Sequence, residues 1–149
     1  MFLMEPVKFY LVVISFYAFA FSASAEEVFT GAVPLEADKA FVIDHMVTGH
    51  NEVVVRLQIS ENYYLYKEKF IFSSSDFYIE DVNFPTAAVK IDEFFGLSEV
   101  YYNVMETTLQ ISPKISGITM GILEVAYQGC WEGGVCYPLT RKSLQISEL

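Results

Sequence analysis

The sequence predicts an all-β domain built as an antiparallel β-sandwich, on three observations. Short segments alternate apolar and polar side chains with a period of two. Turn residues interrupt them roughly every ten positions, and no long stretch carries the helical period. Leu35 to Lys39 suits at most one helical turn, and Ala40 to His45 is a short apolar run ahead of the polar stretch Thr48-Gly49-His50-Asn51. Val53 to Ile59 is the clearest strand: Val53, Val55, Leu57 and Ile59 share one face, with Val54, Arg56 and Gln58 on the other. Alternation with β-branched residues fits a half-buried pleated surface. Tyr63 to Tyr66, Phe70 to Phe72, and Phe77 to Phe84 up to Pro85 continue the pattern. Thr107 to Ile111 ends near Pro113, Ile118 to Tyr127 is the longest candidate, and Leu144 to Ile146 closes the chain. The expected total is roughly seven to nine strands.

One segment resists the pattern. Lys90 to Glu99 mixes acids with a Gly and the adjacent Phe94 and Phe95. Neighbouring side chains on a strand point to opposite faces, so the two rings cannot enter one core there. The segment is expected to be a loop with an exposed aromatic, or one in which a Phe covers something at the surface.

The first 25 residues are set aside from the fold. Lys8, a predominantly apolar run from Phe9 to Phe21, and Ser22-Ala23-Ser24-Ala25 have the layout of a secretory signal peptide. Cleavage after Ala25 leaves a domain of residues 26–149. An uncleaved anchor is the rival reading, and the run falls short of the roughly 20 apolar residues that span a bilayer. No Cys follows the run, which disfavours a lipid anchor. Most aromatics lie beyond the signal and supply ample material for one core. Removing Glu5 from the 19 acids and Lys8 from the 9 bases leaves 18 against 8, so the net charge stays at −10. Such a surface repels nucleic acid and anionic membrane, neither of which is expected as a partner.

Two cysteines in an exported domain point to a disulfide. Five residues separate Cys130 from Cys136, which is not the two-residue spacing of a thioredoxin-like motif. The pair brackets Gly133-Gly134, so a hairpin can bring the two thiols within disulfide reach. So small a loop yields little entropic stabilisation, and a staple would serve better between two sheets. On these grounds a labile bridge and a static one both stay open.

The run Tyr127-Gln128-Gly129-Cys130, five residues, then Cys136-Tyr137-Pro138 resembles the N-terminal periplasmic domain of the thiol:disulfide interchange protein DsbD family. Val33-Pro34 with Ala40-Phe41, Tyr63-Tyr64-Leu65-Tyr66, and Asp92-Glu93-Phe94 with Gly96, Ser98, Glu99 and Tyr101 follow the same order, so the resemblance spans nearly the whole exported part. It implies an immunoglobulin-like fold and a periplasmic protein-disulfide reductase component. The donor would be the thioredoxin-like domain of a DsbD-type membrane protein. Acceptors would be periplasmic disulfide isomerases or other thioredoxin-fold proteins. No cofactor is implied beyond the redox-active disulfide. By position, Cys136 matches the cysteine that joins partners and Cys130 its resolving mate. Asp92 to Gly96 matches a cap loop, with Phe94 at its tip and Phe95 where Tyr is expected. Tyr64 and Tyr66 match residues lining the site, and plain packing is their competing explanation. Asp92 and Glu93 are expected to hold the thiols in the uncharged form, since a nearby carboxylate disfavours a thiolate. Trp131 and Glu132 lie between the cysteines, and the bulky Trp131 is expected to affect partner choice. Nothing after Leu149 supplies the family's membrane domain, which leaves a stand-alone module or a fragment.

The different-class alternative is a non-catalytic immunoglobulin-like binding module with an inert bridge. No metal site is expected, because His45 and His50, even with Met46, lack the three or four closely spaced ligands that zinc needs. A copper role is a minor alternative.

Overall fold

The computed structural model describes residues 33–147, so the expected signal peptide lies outside the described residues. One helical turn, Ala37–Ala40, leads into twelve strands. These are β1 (Phe41–Gly49), β2 (Glu52–Ile59), β3 (Tyr63–Tyr66), β4 (Ile71–Ser73), β5 (Phe77–Asn83) and β6 (Ala88–Asp92), then β7 (Gly96–Tyr101), β8 (Val104–Pro113), β9 (Met120–Tyr127), β10 (Gly129–Trp131), β11 (Val135–Cys136) and β12 (Thr140–Ser147). Every strand pairing is antiparallel.

The strands form a four-stranded sheet in the order β1-β2-β8-β5, a five-stranded sheet β11-β10-β3-β7-β6 and a three-stranded sheet β12-β9-β4. All three contribute to one core. Val53, Val55, Leu57 and Ile59 of β2 are buried, as the alternation requires, and β2 lies between β1 and β8. They meet Met105, Leu109 and Ile111 of β8, Leu123 and Val125 of β9, Leu144 and Ile146 of β12, and Leu65 and Tyr101 of the five-stranded sheet. Each fully buried aliphatic side chain stabilises the fold by about 1.5–3 kcal/mol. Thr107 is buried in the same row, and its hydroxyl donates to the Asn83 carbonyl at 2.9 Å. Asn51, Asn62 and Asn103 take positive φ where the chain reverses, a conformation that Asn tolerates better than most residues.

The all-β, immunoglobulin-like class agrees with the structure; the strand inventory is corrected in two places. The twelve strands outnumber the expected seven to nine because β10 and β11 are only three and two residues long and show no period, and because β6 and β7 fall in the segment read as a loop. Lys90 to Glu99 is no loop: it supplies the end of β6 and the start of β7, and only residues 93–95 turn. β6 is an edge strand, and Val89, Ile91 and Leu97 of the β6–β7 hairpin stay exposed, so no buried face betrayed it in the sequence.

Candidate functional site

Cys130 and Cys136 face each other across the β10–β11 hairpin and form a disulfide with a Cα separation of 4.0 Å. Cys130 is 0% exposed, whereas Cys136 is half-buried. The difference follows from topology. β10 lies between β11 and β3, which pairs Cys130 with Tyr64, whereas β11 is the edge of its sheet.

The residues around the cysteines shape this hairpin. A Cβ at Gly129 would stand 2.5 Å from the Tyr64 carbonyl oxygen and 2.6 Å from the Phe41 ring, so β10 reaches β3 only with glycine there. A Cβ at Gly133 would fall 2.2 Å from the Trp131 ring, which lies over that position. Gly134 has φ +88° and completes the turn. Tyr137 packs edge-on against Phe41 with centroids 5.6 Å apart, and its hydroxyl donates to the Leu35 carbonyl at 2.5 Å.

One face of β3 belongs to the main core through Tyr63 and Leu65; the other carries Tyr64 and Tyr66 into a separate buried cluster with Val100 and Cys130. Both hydroxyls converge on Asp92, the last residue of β6. Tyr64 donates to Oδ2, and Tyr66 donates to Oδ1 at 2.7 Å. The backbone N–H groups of Phe94 and Phe95 each donate to Oδ1 at 2.9 Å, so the Asp92 side chain also folds the turn that follows it. Tyr66 Oη lies 3.2 Å from Cys130 Sγ and 3.8 Å from Cys136 Sγ. Disulfide sulfurs carry no hydrogen, and the Tyr66 proton is engaged by Asp92, so these are close contacts in which the hydroxyl turns its lone pairs toward the bridge.

Asp92 is 4% exposed. Burial alone would raise its carboxyl, but the bonds from Tyr64, Tyr66 and the two amides hold it below the ordinary carboxylate range. Burial, together with the neighbouring Asp92 charge, pushes both tyrosine hydroxyls well above their ordinary value, which keeps them protonated donors. The Asp92 carboxylate is therefore a buried, fully partnered anion.

The β6–β7 turn leans on this cluster. The Phe95 ring meets Tyr66 edge-on at 4.9 Å, and Lys69 Nζ lies 4.4 Å from the Phe95 centroid. Phe94 and Phe95 are 46% and 45% exposed, and the ring that packs on Tyr66 is that of Phe95. Glu93 Oε1 reaches to 3.5 Å of where a Gly134 Cβ would stand, so the turn touches the tip of the cysteine hairpin. Gly96 has φ +73° and closes the turn with open space around it. A cleft of about 250 Å³ opens alongside, lined by Tyr64, Lys90, Ile91, Asp92, Glu93 and Glu132.

The fold thus gathers Cys130, Cys136, Tyr64, Tyr66, Asp92 and Phe95 around one hydroxyl, with Glu93, Phe94 and Gly96 in the adjoining turn. Sequence reasoning missed Lys90 and Tyr102. Both reach Glu132, whose Oε1 lies 3.2 Å from Lys90 Nζ and accepts from the Tyr102 hydroxyl at 3.2 Å. These partners are 42 and 30 positions apart in the chain, and no local motif links them. No cluster of metal-ligating side chains occurs among the described residues, and His45 Nε2 lies 3.0 Å from the Gln145 carbonyl.

The family model described as "Thiol:disulfide interchange protein DsbD, N-terminal" matches residues 32–148. DsbD of Salmonella typhimurium is 35% identical over 113 residues, covering 76% of this chain and 19% of that protein. DsbD of Escherichia coli K12 is 34% identical over the same shares of both chains. The chain thus spans about a fifth of the length of these relatives. Among solved structures, the reduced DsbD N-terminal domain of Neisseria meningitidis superposes with a TM-score of 0.66 at 30% identity, over 76% of this chain and 89% of that one. The complex of the DsbD and PilB N-terminal domains from the same organism matches with a TM-score of 0.62 at 29% identity, over 74% and 85%. Among the described residues, no helix is long and apolar enough to cross a membrane.

Proposed function

Because this chain belongs to the family of DsbD N-terminal domains, we propose that it carries electrons in the periplasm by cycling Cys130 and Cys136 between disulfide and dithiol. The donor is a thioredoxin-like domain of a DsbD-type membrane protein, and the acceptors are thioredoxin-fold proteins such as disulfide isomerases. The relative's complex with the PilB N-terminal domain supports a role that depends on docking to other proteins. The observation that carries the reading is the unequal exposure of the two sulfurs on one short hairpin.

The chemistry follows from that asymmetry. A donor thiolate attacks Cys136 Sγ, the accessible sulfur; the Cys130–Cys136 bond breaks, and Cys130 takes the electron pair and then a proton. A second donor thiolate displaces Cys136, which leaves the domain as a dithiol and the donor as a disulfide. In the reverse sense, the Cys136 thiolate attacks an acceptor disulfide. Cys130 then attacks Cys136 Sγ and expels the acceptor's thiolate. Two electrons pass in each half-cycle, and one disulfide is exchanged for another. Reduced Cys130 finds Tyr66 Oη within reach as an acceptor for its S–H. Asp92, close behind that hydroxyl, disfavours a second negative charge on sulfur. Both effects keep the dithiol quiet until a partner displaces the β6–β7 turn.

A glutathione redox titration tests the cycle. A working pair equilibrates, whereas a bridge that only secures a binding module sits below about −300 mV and resists reduction. Trapping tests the roles. Cys130→Ala should accumulate mixed disulfides with thioredoxin-fold partners, and equal trapping by Cys136→Ala would reverse the assignment.

A further inference from the structure

The five residues between the cysteines are held unevenly. On the Cys130 side, Trp131 lies over Gly133, the Glu132 amide donates to the Asn62 carbonyl at 2.8 Å, and the Glu132 carboxylate meets Lys90 and Tyr102. On the Cys136 side, Val135 is exposed on the edge strand. Lys90 Nζ also sits 4.7 Å from the centroid of the Tyr64 ring, and Tyr64 is bonded to Asp92. A continuous set of contacts therefore runs from the loop between the cysteines, through Glu132, Lys90 and Tyr64, to Asp92 at the root of the β6–β7 turn.

We propose that Lys90, Glu132 and Tyr102 form a latch that positions the loop between the cysteines, so that Cys130 stays opposite Cys136 whenever their bond is open. The inference rests on the redox cycle proposed above and assigns these three side chains as positioning residues within it. When Cys136 is joined to a partner, release requires the Cys130 thiolate to attack Cys136 Sγ. The internal S–S bond forms as the intermolecular one breaks, and the partner's sulfur leaves with the electron pair. The rate of that step depends on how often Cys130 lies in line with the mixed disulfide, which is an effective concentration set by the loop. Opening the bridge gives play to Val135 and Cys136 on the edge strand, up to the anchor at Tyr137, whereas the latch holds the Cys130 side against β6. By linkage, a latch that is tighter in the disulfide form favours that form, and the disulfide favours the latch to the same degree.

The test compares the whole domain with Glu132→Ala, Lys90→Met and the double variant, using glutathione as the redox probe. Arg56→Met is the control, because Arg56 and Glu106 make a cross-strand ion pair at 2.7 Å in the other large sheet. Partly exposed ion pairs are individually weak, so the expected effect is about a two- to fivefold fall in the equilibrium constant for forming the disulfide. The glutathione mixed disulfide should persist longer by a similar factor. The double variant should lose no more than the larger single loss, and Arg56→Met should match the unaltered domain. Circular dichroism of each oxidised variant identifies any that fails to fold, and Lys90→Met keeps the aliphatic stem for that reason. Variants that match the unaltered domain in both equilibrium constant and mixed-disulfide lifetime would overturn the latch. An unaltered domain that fails to exchange with glutathione at all would instead overturn the redox reading beneath it.

Discussion

Tyr66 donates its single hydroxyl proton to Asp92 Oδ1 at 2.7 Å while its oxygen lies 3.2 Å from Cys130 Sγ. That arrangement sets the polarity of the site. A hydroxyl has one proton to give, and a buried carboxylate takes it more strongly than sulfur does. Toward the cysteines Tyr66 is thus an acceptor, which suits an S–H and disfavours a thiolate. The same carboxylate folds the turn through the Phe94 and Phe95 amides, so one anion ties the β6–β7 turn to the environment of the cysteines.

Removing that proton donor should be costly. Tyr66→Phe keeps the ring against Phe95 and leaves Asp92 with three donors in place of four. A hydrogen bond to a charged group contributes about 1.5–3 kcal/mol, and the oxidised variant should lose roughly that much in urea unfolding. An unchanged midpoint would mean that the bond adds nothing net.

The Asp92 carboxyl titrates below its ordinary range in the folded domain, which fixes the sign of its pH effect. Its contribution is fully present above the unfolded value of about 3.9 and is lost as pH falls through the lower folded value. Stability should therefore decline with acid below pH ~4. Asp92→Asn should be less stable at neutral pH and should decline less steeply over the acid range. Urea midpoints measured across that range check both; parallel profiles would count against the assignment.

Gly129→Ala should damage the hairpin without touching a sulfur. The new methyl would stand 2.5 Å from a backbone carbonyl oxygen, which has no flexible end to move aside. Overpacking of this kind costs about 1–3 kcal/mol. Gly49→Ala is the comparison, because its nearest neighbour is the Glu52 Cβ at 3.8 Å, an ordinary contact. Thermal unfolding of the two variants should separate them clearly.

The β2 alternation and the cysteine spacing were legible because each is written in consecutive residues: Val53 to Ile59 buries one face, and Cys130 pairs with Cys136 across a Gly-Gly turn. Gly129 was visible only as part of a motif; its reason, the carbonyl of Tyr64, belongs to another strand. Tyr64 and Tyr66, two positions apart on a strand, necessarily share one face, but nothing local indicated that both would meet Asp92, 28 and 26 positions away. Strands β6 and β7 escaped the periodicity argument because Val89, Ile91 and Leu97 are apolar on their exposed face, while Asp92 and Ser98 are polar where they are buried. The contacts that join Lys90, Tyr102 and Glu132 were out of reach for a simpler reason: pairings between distant segments leave no pattern in a single sequence.

The two adjacent phenylalanines should prove unequal. Phe95 meets Tyr66 edge-on and carries Lys69 over its own ring, so its removal loosens the turn where it contacts the tyrosine whose hydroxyl lies against both sulfurs. Phe94 holds its place in the turn through its backbone amide, which donates to Asp92 and which any residue but proline supplies. An edge-to-face pair is worth about 0.5–1.5 kcal/mol beyond its buried area, which corresponds to a roughly two- to tenfold change in how often the turn stands open. If opening of the turn gates alkylation of the reduced cysteines by iodoacetamide, Phe95→Ala should react faster by about that factor. Phe94→Ala should stay close to the unaltered rate. If Phe94→Ala is the faster of the two, the covering ring is the one at the tip, and the contact with Tyr66 is incidental.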